Sequence, residues 1–295
     1  MRIRTLFATA AAGTLALTGL TAPALAASDA RDDAQPERVS VITTAHRGAS
    51  AYAPENTLAA FEVAIDQKST WIESDVQLTK DGVAVLMHDT TLSRTTNVEE
   101  VFPDRAPWNV RDFTLAEIKQ LDAGSWFGPE FAGEPVPTLA EMVDQVRASR
   151  SGIIMELKSP GLYPGIEQEV IEVFESFPGY VTSGLASNRL AVQSFDWGSM
   201  ATYAELAPET PVGLLGAPAV ADLPDYAEWA DQINPSKAQT TEAYVDAVHE
   251  AGMDVNVWTV DDTPTMTRLL DWDVDGIITN RPDVLEQLLH ERNQG

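Results

Sequence analysis

Trp71-Ile72-Glu73-Ser74-Asp75-Val76, then Gln77-Leu78-Thr79-Lys80-Asp81-Gly82, then Val83-Ala84-Val85-Leu86-Met87-His88-Asp89: this is the stretch whose reading decides the fold. The first apolar run reads as a strand over 71–76, in which Glu73 and Asp75 stand two apart and leave the same face. The second run, 83–87, follows across only Lys80-Asp81-Gly82, too close for a parallel crossover. Asp-Gly at that place is hairpin chemistry. Antiparallel pairing of 75–79 with 83–88 about the turn would bring His88 back beside Asp75. The alternative is an ordinary surface hairpin that merely ends at His88.

Around this hairpin, short apolar runs alternate with helical patterns. Strands are expected at 41–45, 71–76, 153–157, 190–194, 211–215, 231–234, 254–258 and 276–279. Helices are expected at 55–67, 138–149, 165–176, 197–206, 240–251, 263–271 and 282–291. Strands alternating with helices over this length imply parallel β/α units, and eight such strands imply a TIM-like (β/α)₈ barrel. Residues 90–137 hold no convincing barrel strand, only a helix-like piece from Thr114 to Leu121. A segment of that length reads as an insertion folded over the carboxyl-terminal mouth of the barrel. The domain expected is a single barrel over 39–295.

The N-terminus is set apart from that domain. Met1-Arg2-Ile3-Arg4 is basic, the apolar run from Leu6 to Leu20 is too short to span a bilayer, and Ala24-Leu25-Ala26 is a small-x-small cleavage site. This predicts a signal peptide over 1–26, cut after Ala26, a polar disordered leader over 27–38, and a secreted protein. Losing two arginines and no acid would take the net charge from −26 to −28. Such a surface repels nucleic acid and gives no stable association with anionic membrane. With no cysteine in the chain, thiolate metal sites and a cysteine nucleophile are excluded. No feature of the sequence speaks to the oligomeric state.

Paired inward acids at Glu73 and Asp75 would repel without a cation, and oxygen ligands suit calcium or magnesium. Glu156 and Lys158 repeat the spacing at the end of Ile153-Ile154-Met155-Glu156-Leu157-Lys158, and barrel strand ends converge at the mouth. Glu156 would complete a three-carboxylate metal site and Lys158 would face a phosphate oxygen; an internal ion pair between barrel strands is the alternative. His46 ends the first strand, and with His88 it offers an acid–base pair near neutral pH. Arg47 beside it can clamp phosphate oxygens. Pro54-Glu55-Asn56-Thr57 reads as helix initiation, with Pro54 in the first turn. His249 and His290 sit in helical segments and are expected at the surface.

These residues, in this order, resemble the glycerophosphodiester phosphodiesterase family over about 41–289. The resemblance rests on His46-Arg47-Gly48, Pro54-Glu55-Asn56-Thr57, Glu73-x-Asp75-Val76-x-x-Thr79-x-Asp81-Gly82, His88-Asp89 and Asp122-Ala123-Gly124. It continues through Pro137-Thr138-Leu139, Glu156-Leu157-Lys158, Gln193-Ser194-Phe195, Val257-Trp258-Thr259-Val260 and Asp275-Gly276-Ile277-Ile278-Thr279. It implies that His46 and His88 are the acid–base pair and that Glu73, Asp75 and Glu156 hold one divalent cation. It further implies that Arg47 and Lys158 grip the phosphate and that Trp258 lines the alcohol pocket. The chain departs from the family at Ala49, where a second glycine is common, at Asp261, where asparagine is often seen, and at Asn280, where aspartate is usual.

The implied activity is metal-dependent hydrolysis of a small-molecule glycerophosphodiester to an alcohol and sn-glycerol 3-phosphate. An exported, all-oxygen site favours calcium over magnesium. The alternative is a phospholipase D-like or sphingomyelinase D-like enzyme acting on phospholipids, which the strong acidity of the chain disfavours.

Overall fold

Side-chain alternation along Trp71–Leu78 (β2) determines what faces the barrel interior. In the computed structural model, which describes residues 41–294, Ile72 and Val76 join the large apolar layer shared with the helices. Trp71 packs instead with Ile154 and Ala191 in a small separate cluster. Glu73 and Asp75 have the parity of Trp71, so they point inward with it. The expected signal peptide at 1–26 and leader at 27–38 lie outside the described residues.

The other strands are Ile42–Ala45 (β1), Ala84–Leu86 (β3), Gly152–Leu157 (β4), Leu190–Ser194 (β5), Val212–Leu215 (β6), Gln232–Asn234 (β7), Asp254–Val257 (β8) and Gly276–Thr279 (β9). All pairings but one are parallel, in the order β1-β9-β8-β7-β6-β5-β4-β2, and β1 pairs with β2 to close an eight-stranded barrel. The remaining strand, β3, lies antiparallel on β2. Each of the eight expected strands is present, with ends within two residues of those read from the sequence. Parallel strands of a barrel are covered by helices, and their apolar runs are what periodicity detects most readily.

Five of the helices between strands begin where a side-chain cap satisfies the first free N–H groups. Thr138 and Glu141 form a capping box at Leu139–Val146, and Thr57, Asp196, Thr241 and Asp262 cap four others. Helix Tyr180–Ala186 had no expectation attached to it. Its Val, Thr, Ser and Gly are weak helix formers, so no propensity marks it. No described helix is long and apolar enough to cross a membrane.

The hairpin forms, with a different register at its end. Gly82 N–H donates to Thr79 O and Thr79 N–H to Val83 O, giving a three-residue loop whose last residue, Gly82, has φ +81°. Nothing lies near the position of a Cβ there, so glycine serves the left-handed backbone rather than close packing. Val76 pairs with Leu86, and Met87 N–H donates to Asp75 O at 2.9 Å. Met87, not His88, therefore stands opposite Asp75, and His88 follows one residue later.

Residues 90–137 contribute no barrel strand. They contain short helical pieces, including Val98–Val101 and Leu115–Ile118, and bury Leu92, Val98, Val110, Phe113 and Ile118 against Val85 and Met87 of the hairpin. Their apolar cluster thus builds outward from β3, and Arg94 reaches from this segment to Glu55 and Asp89.

Inside the barrel, bonded amides carry on from the acids, with Gln193 of β5 standing beside Glu156 of β4. Asn234 Nδ2 donates to Gln193 Oε1 at 2.8 Å, and Asn256 Nδ2 reaches Gln232 Oε1 at 3.0 Å and Asn234 Oδ1 at 3.2 Å. A Cβ on Gly276 would lie 2.1 Å from Asn256 Oδ1. Asn256 is buried and held by two amide partners, so it has little freedom to retreat. Gly276→Ala is expected to destabilise the fold by about 1–3 kcal/mol, as overpacking of a filled core does. Urea denaturation checks this; unchanged stability would mean that the amide layer yields.

Candidate active site

The parallel register between β2 and β4 sets Asp75 directly beside Glu156. With Glu73 two residues back on the same face, ligand oxygens of all three carboxylates lie within 4.8 Å of one another, and all three residues are buried. Burial and mutual repulsion push Glu156 up to about 8 and Glu73 well above the ordinary carboxyl range. Asp75 is equally buried, yet Lys158 and Arg47 hold its carboxyl below its ordinary value. The set therefore splits into one firmly ionised acid and two that resist ionising together.

The counter-charges come from strand ends. Lys158 Nζ lies 2.5 Å from Glu156 Oε1 and 3.2 Å from Asp75 Oδ1, so the internal ion pair weighed as an alternative does form. It does not displace the cluster, because Lys158 serves two of the three acids. Arg47 has φ +55°, its N–H donates to Glu73 Oε2 at 2.8 Å, and its guanidinium meets Asp75 Oδ2 at 3.2 Å and Glu55 Oε1 at 3.0 Å.

Three acids against Arg47 and Lys158 still leave an excess of negative charge. Asp75 Oδ1 accepts no well-formed hydrogen bond despite complete burial. Buried acceptors are nearly always paired, and clustered carboxylate oxygens are the donor set of a hard divalent cation. Glu73, Asp75 and Glu156 fit such an ion.

Each histidine is gripped at Nδ1. His46 Nδ1 donates to Asn280 Oδ1 at 2.7 Å, and His88 Nδ1 lies 2.7 Å from Asp89 Oδ1. Nε2 of each ring is left for chemistry. Burial, reinforced by the adjacent Arg47 charge, pushes His46 down to about 4, and burial also lowers His88. His46 lines a cleft of about 330 Å³ with Arg47, Ser50, Asp261 and Asn280. His88 lines a larger one of about 810 Å³ with Glu156, Lys158, Phe195 and Trp197. Trp258 is half-buried at the end of β8. Its Nε1 donates to Asn234 O at 2.7 Å, and its ring meets Phe195 edge-on at 5.5 Å.

Several residues here carried no role in the sequence. Pro54 is not in a first helical turn: the helix is Leu58–Asp66, and Thr57 is its cap. The residues before it form a turn in which Asn56 is left-handed, at φ +59°. Its Nδ2 donates to Asp75 Oδ2 at 2.9 Å, and its Oδ1 accepts from Ser74 Oγ at 2.7 Å. Glu55 accepts from both Arg47 and Arg94, while Arg94 also grips Asp89. Asparagine just ahead of a helix cap is the one local cue, since asparagine tolerates that backbone. His249 is partly exposed, as expected, and its Nε2 pairs at 2.8 Å with Oδ2 of Asp275, which precedes β9 at the barrel end opposite the carboxyl-terminal mouth.

Residues 46–284 match the glycerophosphoryl diester phosphodiesterase family. The putative glycerophosphodiester phosphodiesterase YhdW of Bacillus subtilis is 35% identical over 246 residues, spanning 82% of this chain and 95% of that protein. The glycerophosphodiester phosphodiesterase of Caldanaerobacter subterraneus is 36% identical over 258 residues, 85% of this chain and 98% of that one. A phosphodiesterase of Oleispira antarctica, solved with the product sn-glycerol-3-phosphate, superposes with a TM-score of 0.74 at 29% identity, covering 84% and 96% of the two chains. With an acidic site at the barrel mouth and likeness over nearly the whole described fold, the chain belongs to the glycerophosphoryl diester phosphodiesterase family and is a glycerophosphodiester phosphodiesterase.

Proposed function

We propose that the enzyme hydrolyses sn-glycerol-3-phosphodiesters to an alcohol and sn-glycerol 3-phosphate, with His46 and His88 as the acid–base pair and a divalent cation held by Glu73, Asp75 and Glu156. The observation that carries this reading is the buried triad of carboxylates between Arg47 and Lys158, flanked by two histidines each fixed at Nδ1. The product bound by the Oleispira relative supports the choice of substrate.

When bound, the cation supplies positive charge that stabilises the phosphate oxygens as negative charge gathers on them. Arg47 and Lys158 orient the phosphate by charge-assisted hydrogen bonds. One imidazole takes the proton of the attacking hydroxyl as its oxygen bonds to phosphorus. The bond from phosphorus to the alcohol oxygen breaks, and the other ring, as imidazolium, delivers a proton to that oxygen. Trp258 and Phe195 form an aromatic wall for the alcohol. An exported site with an all-oxygen ligand set favours calcium over magnesium. We also infer export, supported by the basic, apolar and small-residue order of residues 1–26; sequencing of protein recovered from medium should then begin at Ala27.

His46→Ala and His88→Ala should each lower kcat on glycerophosphocholine by about 10²–10⁴-fold, the usual worth of positioned acid–base groups. Wild-type turnover by either variant would sink the assignment. Chelation should abolish activity, with calcium restoring more of it than magnesium; activity unaffected by chelator would remove the cation from the mechanism.

The raised carboxyls also give a stability signature. Glu156 titrates near 8 in the fold against an ordinary 4.5, so between those values the folded state holds protons that the unfolded chain has lost. Stability of the cation-free protein should therefore fall as pH rises from about 6.5 to about 8, while below 6.5 the lowered His46 and His88 act in the opposite sense and offset the fall. Asp75 acts oppositely, and its contribution is lost only as pH drops below its ordinary 3.8. Melting temperatures in chelator across this window measure the slope, and saturating calcium should flatten it. The same slope with and without calcium would mean that the cation binds elsewhere.

A further inference from the structure

Asp261 and Asn280 stand on two loops that leave the barrel after β8 and β9, and neither touches the three acids in any bond described above. Asp261 Oδ1 accepts from Asn280 N–H at 2.8 Å and from Thr279 Oγ1 at 3.1 Å, while its Oδ2 accepts from Asn280 Nδ2 at 2.7 Å. An ionised carboxylate only accepts, so the face of the Asn280 amide turned toward Asp261 is its NH₂ group. Its Oδ1 then necessarily faces the other way, toward His46 Nδ1 at 2.7 Å and Ser50 Oγ at 2.8 Å. An amide oxygen cannot donate, so His46 carries its proton on Nδ1 and the lone pair on Nε2.

We propose that Asp261 is a positioning residue that, through the Asn280 amide, fixes the His46 tautomer with Nε2 free to accept a proton. The inference rests on the reading of His46 as a catalytic acid–base group. The backbone supports the arrangement: His46 N–H donates to Thr279 O at 2.8 Å and Ala51 N–H to Asn280 O at 3.1 Å, so ring and amide are held at fixed separation. The chain of bonds is directional. A donor placed at 261 in front of Asn280 Nδ2 sets two NH₂ groups against each other. The relief available is a half-turn of the Asn280 amide, which presents NH₂ to His46 Nδ1 and forces the imidazole proton onto Nε2. The ring would keep its place and lose its basic nitrogen. Wrong-tautomer loss of this kind, with geometry intact, is the known consequence of swapping carboxylate for amide behind a catalytic histidine.

The test is a reciprocal swap on the full-length protein with its cation. Asp261→Asn should lower kcat/KM for glycerophosphocholine on the order of 10- to 100-fold, the usual scale for outer-shell partners. Combining it with Asn280→Asp should restore most of that loss. In the pair, the introduced amide donates to the introduced carboxylate, which again accepts from His46 Nδ1. Heteronuclear NMR correlating imidazole nitrogens with ring hydrogens should show His46 protonated on Nδ1 in the wild type and in the double variant, and on Nε2 in Asp261→Asn. Wild-type kcat/KM in the single variant, an unchanged tautomer there, or a double variant no better than the single one would each overturn the proposal. Because the tautomer is read without turnover, it separates the two readings. A wild-type protein that is inactive on the diester while His46 keeps the Nδ1 proton would defeat the catalytic assignment and leave the positioning intact.

Discussion

Burying Glu73, Asp75 and Glu156 on the inward faces of adjacent strands is the constraint on which the rest of this structure depends. Each carboxylate taken from water costs several kcal/mol even after relaxation, and closely set like charges add to that. The register that puts Asp75 beside Glu156 cannot be relaxed without moving every side chain of a strand to the wrong face. The surroundings must therefore compensate, and they do so from separate parts of the chain. Arg47 arrives on a left-handed turn after β1, Lys158 extends the strand that carries Glu156, and Asn56 donates from the turn before a helix. The raised Glu73 and Glu156 carboxyls show that these groups do not balance the charge fully. A cation would complete the balance, and the charge that the fold leaves over makes the triad a site that could hold one.

The barrel interior is graded along its strands. Read along inward positions, β2 runs Trp71, Glu73, Asp75; β4 runs Ile154, Glu156 and on to Lys158; β5 runs Ala191, Gln193. Apolar side chains lie toward the amino-terminal end of these strands and charges gather at the carboxyl-terminal mouth, where Gln193 stands level with Glu156. Barrels are more often filled by layers of branched apolar residues. Here Gln193, Gln232, Asn234 and Asn256 form bonded amides instead, and Gly213 and Gly276 leave space for Asn234 and Asn256. The acids thus stand above the apolar cluster of Trp71, Ile154 and Ala191, with the first of these amides, Gln193, beside Glu156 rather than beneath it.

This gradient is why so much of the site was legible beforehand. Alternation within one strand is local information, so Glu73, Asp75, Glu156 and Lys158 could be placed on inward faces from spacing alone. The hairpin was legible for the same reason, and it does return His88 to where the Asp75 charge acts on it, one residue past the backbone pairing. The three-residue loop ending at left-handed Gly82 sets Met87, not His88, opposite Asp75. Partners joined across the fold were not legible. Asn280 meets His46 across 234 residues, and Glu55 meets Arg94 across 39. Nothing in the neighbourhood of either residue in sequence announces its partner. Asn56 lay inside a motif already singled out, but its left-handed backbone assigns it to Asp75 rather than to the helix it precedes.

An anionic substrate approaching a chain of net charge −26 would seem to face repulsion from all sides. Screening decides the matter. At physiological salt, exposed charges fade over about 8 Å, whereas buried or half-buried ones are shielded much less by solvent. The exposed acids are therefore a weak, diffuse field at the mouth. Arg47 and Lys158 are mostly buried, with side chains 17% and 13% exposed, so they act at short range in a medium of lower dielectric. Arg94 adds a third positive charge at the rim, and its carboxylate partners Glu55 and Asp89 keep it aligned. Net charge then opposes polyanions, while the few buried cations govern what enters. A small diester can reach them; a long anionic polymer, obliged to lie along the acidic surface as well, cannot do so at the same cost.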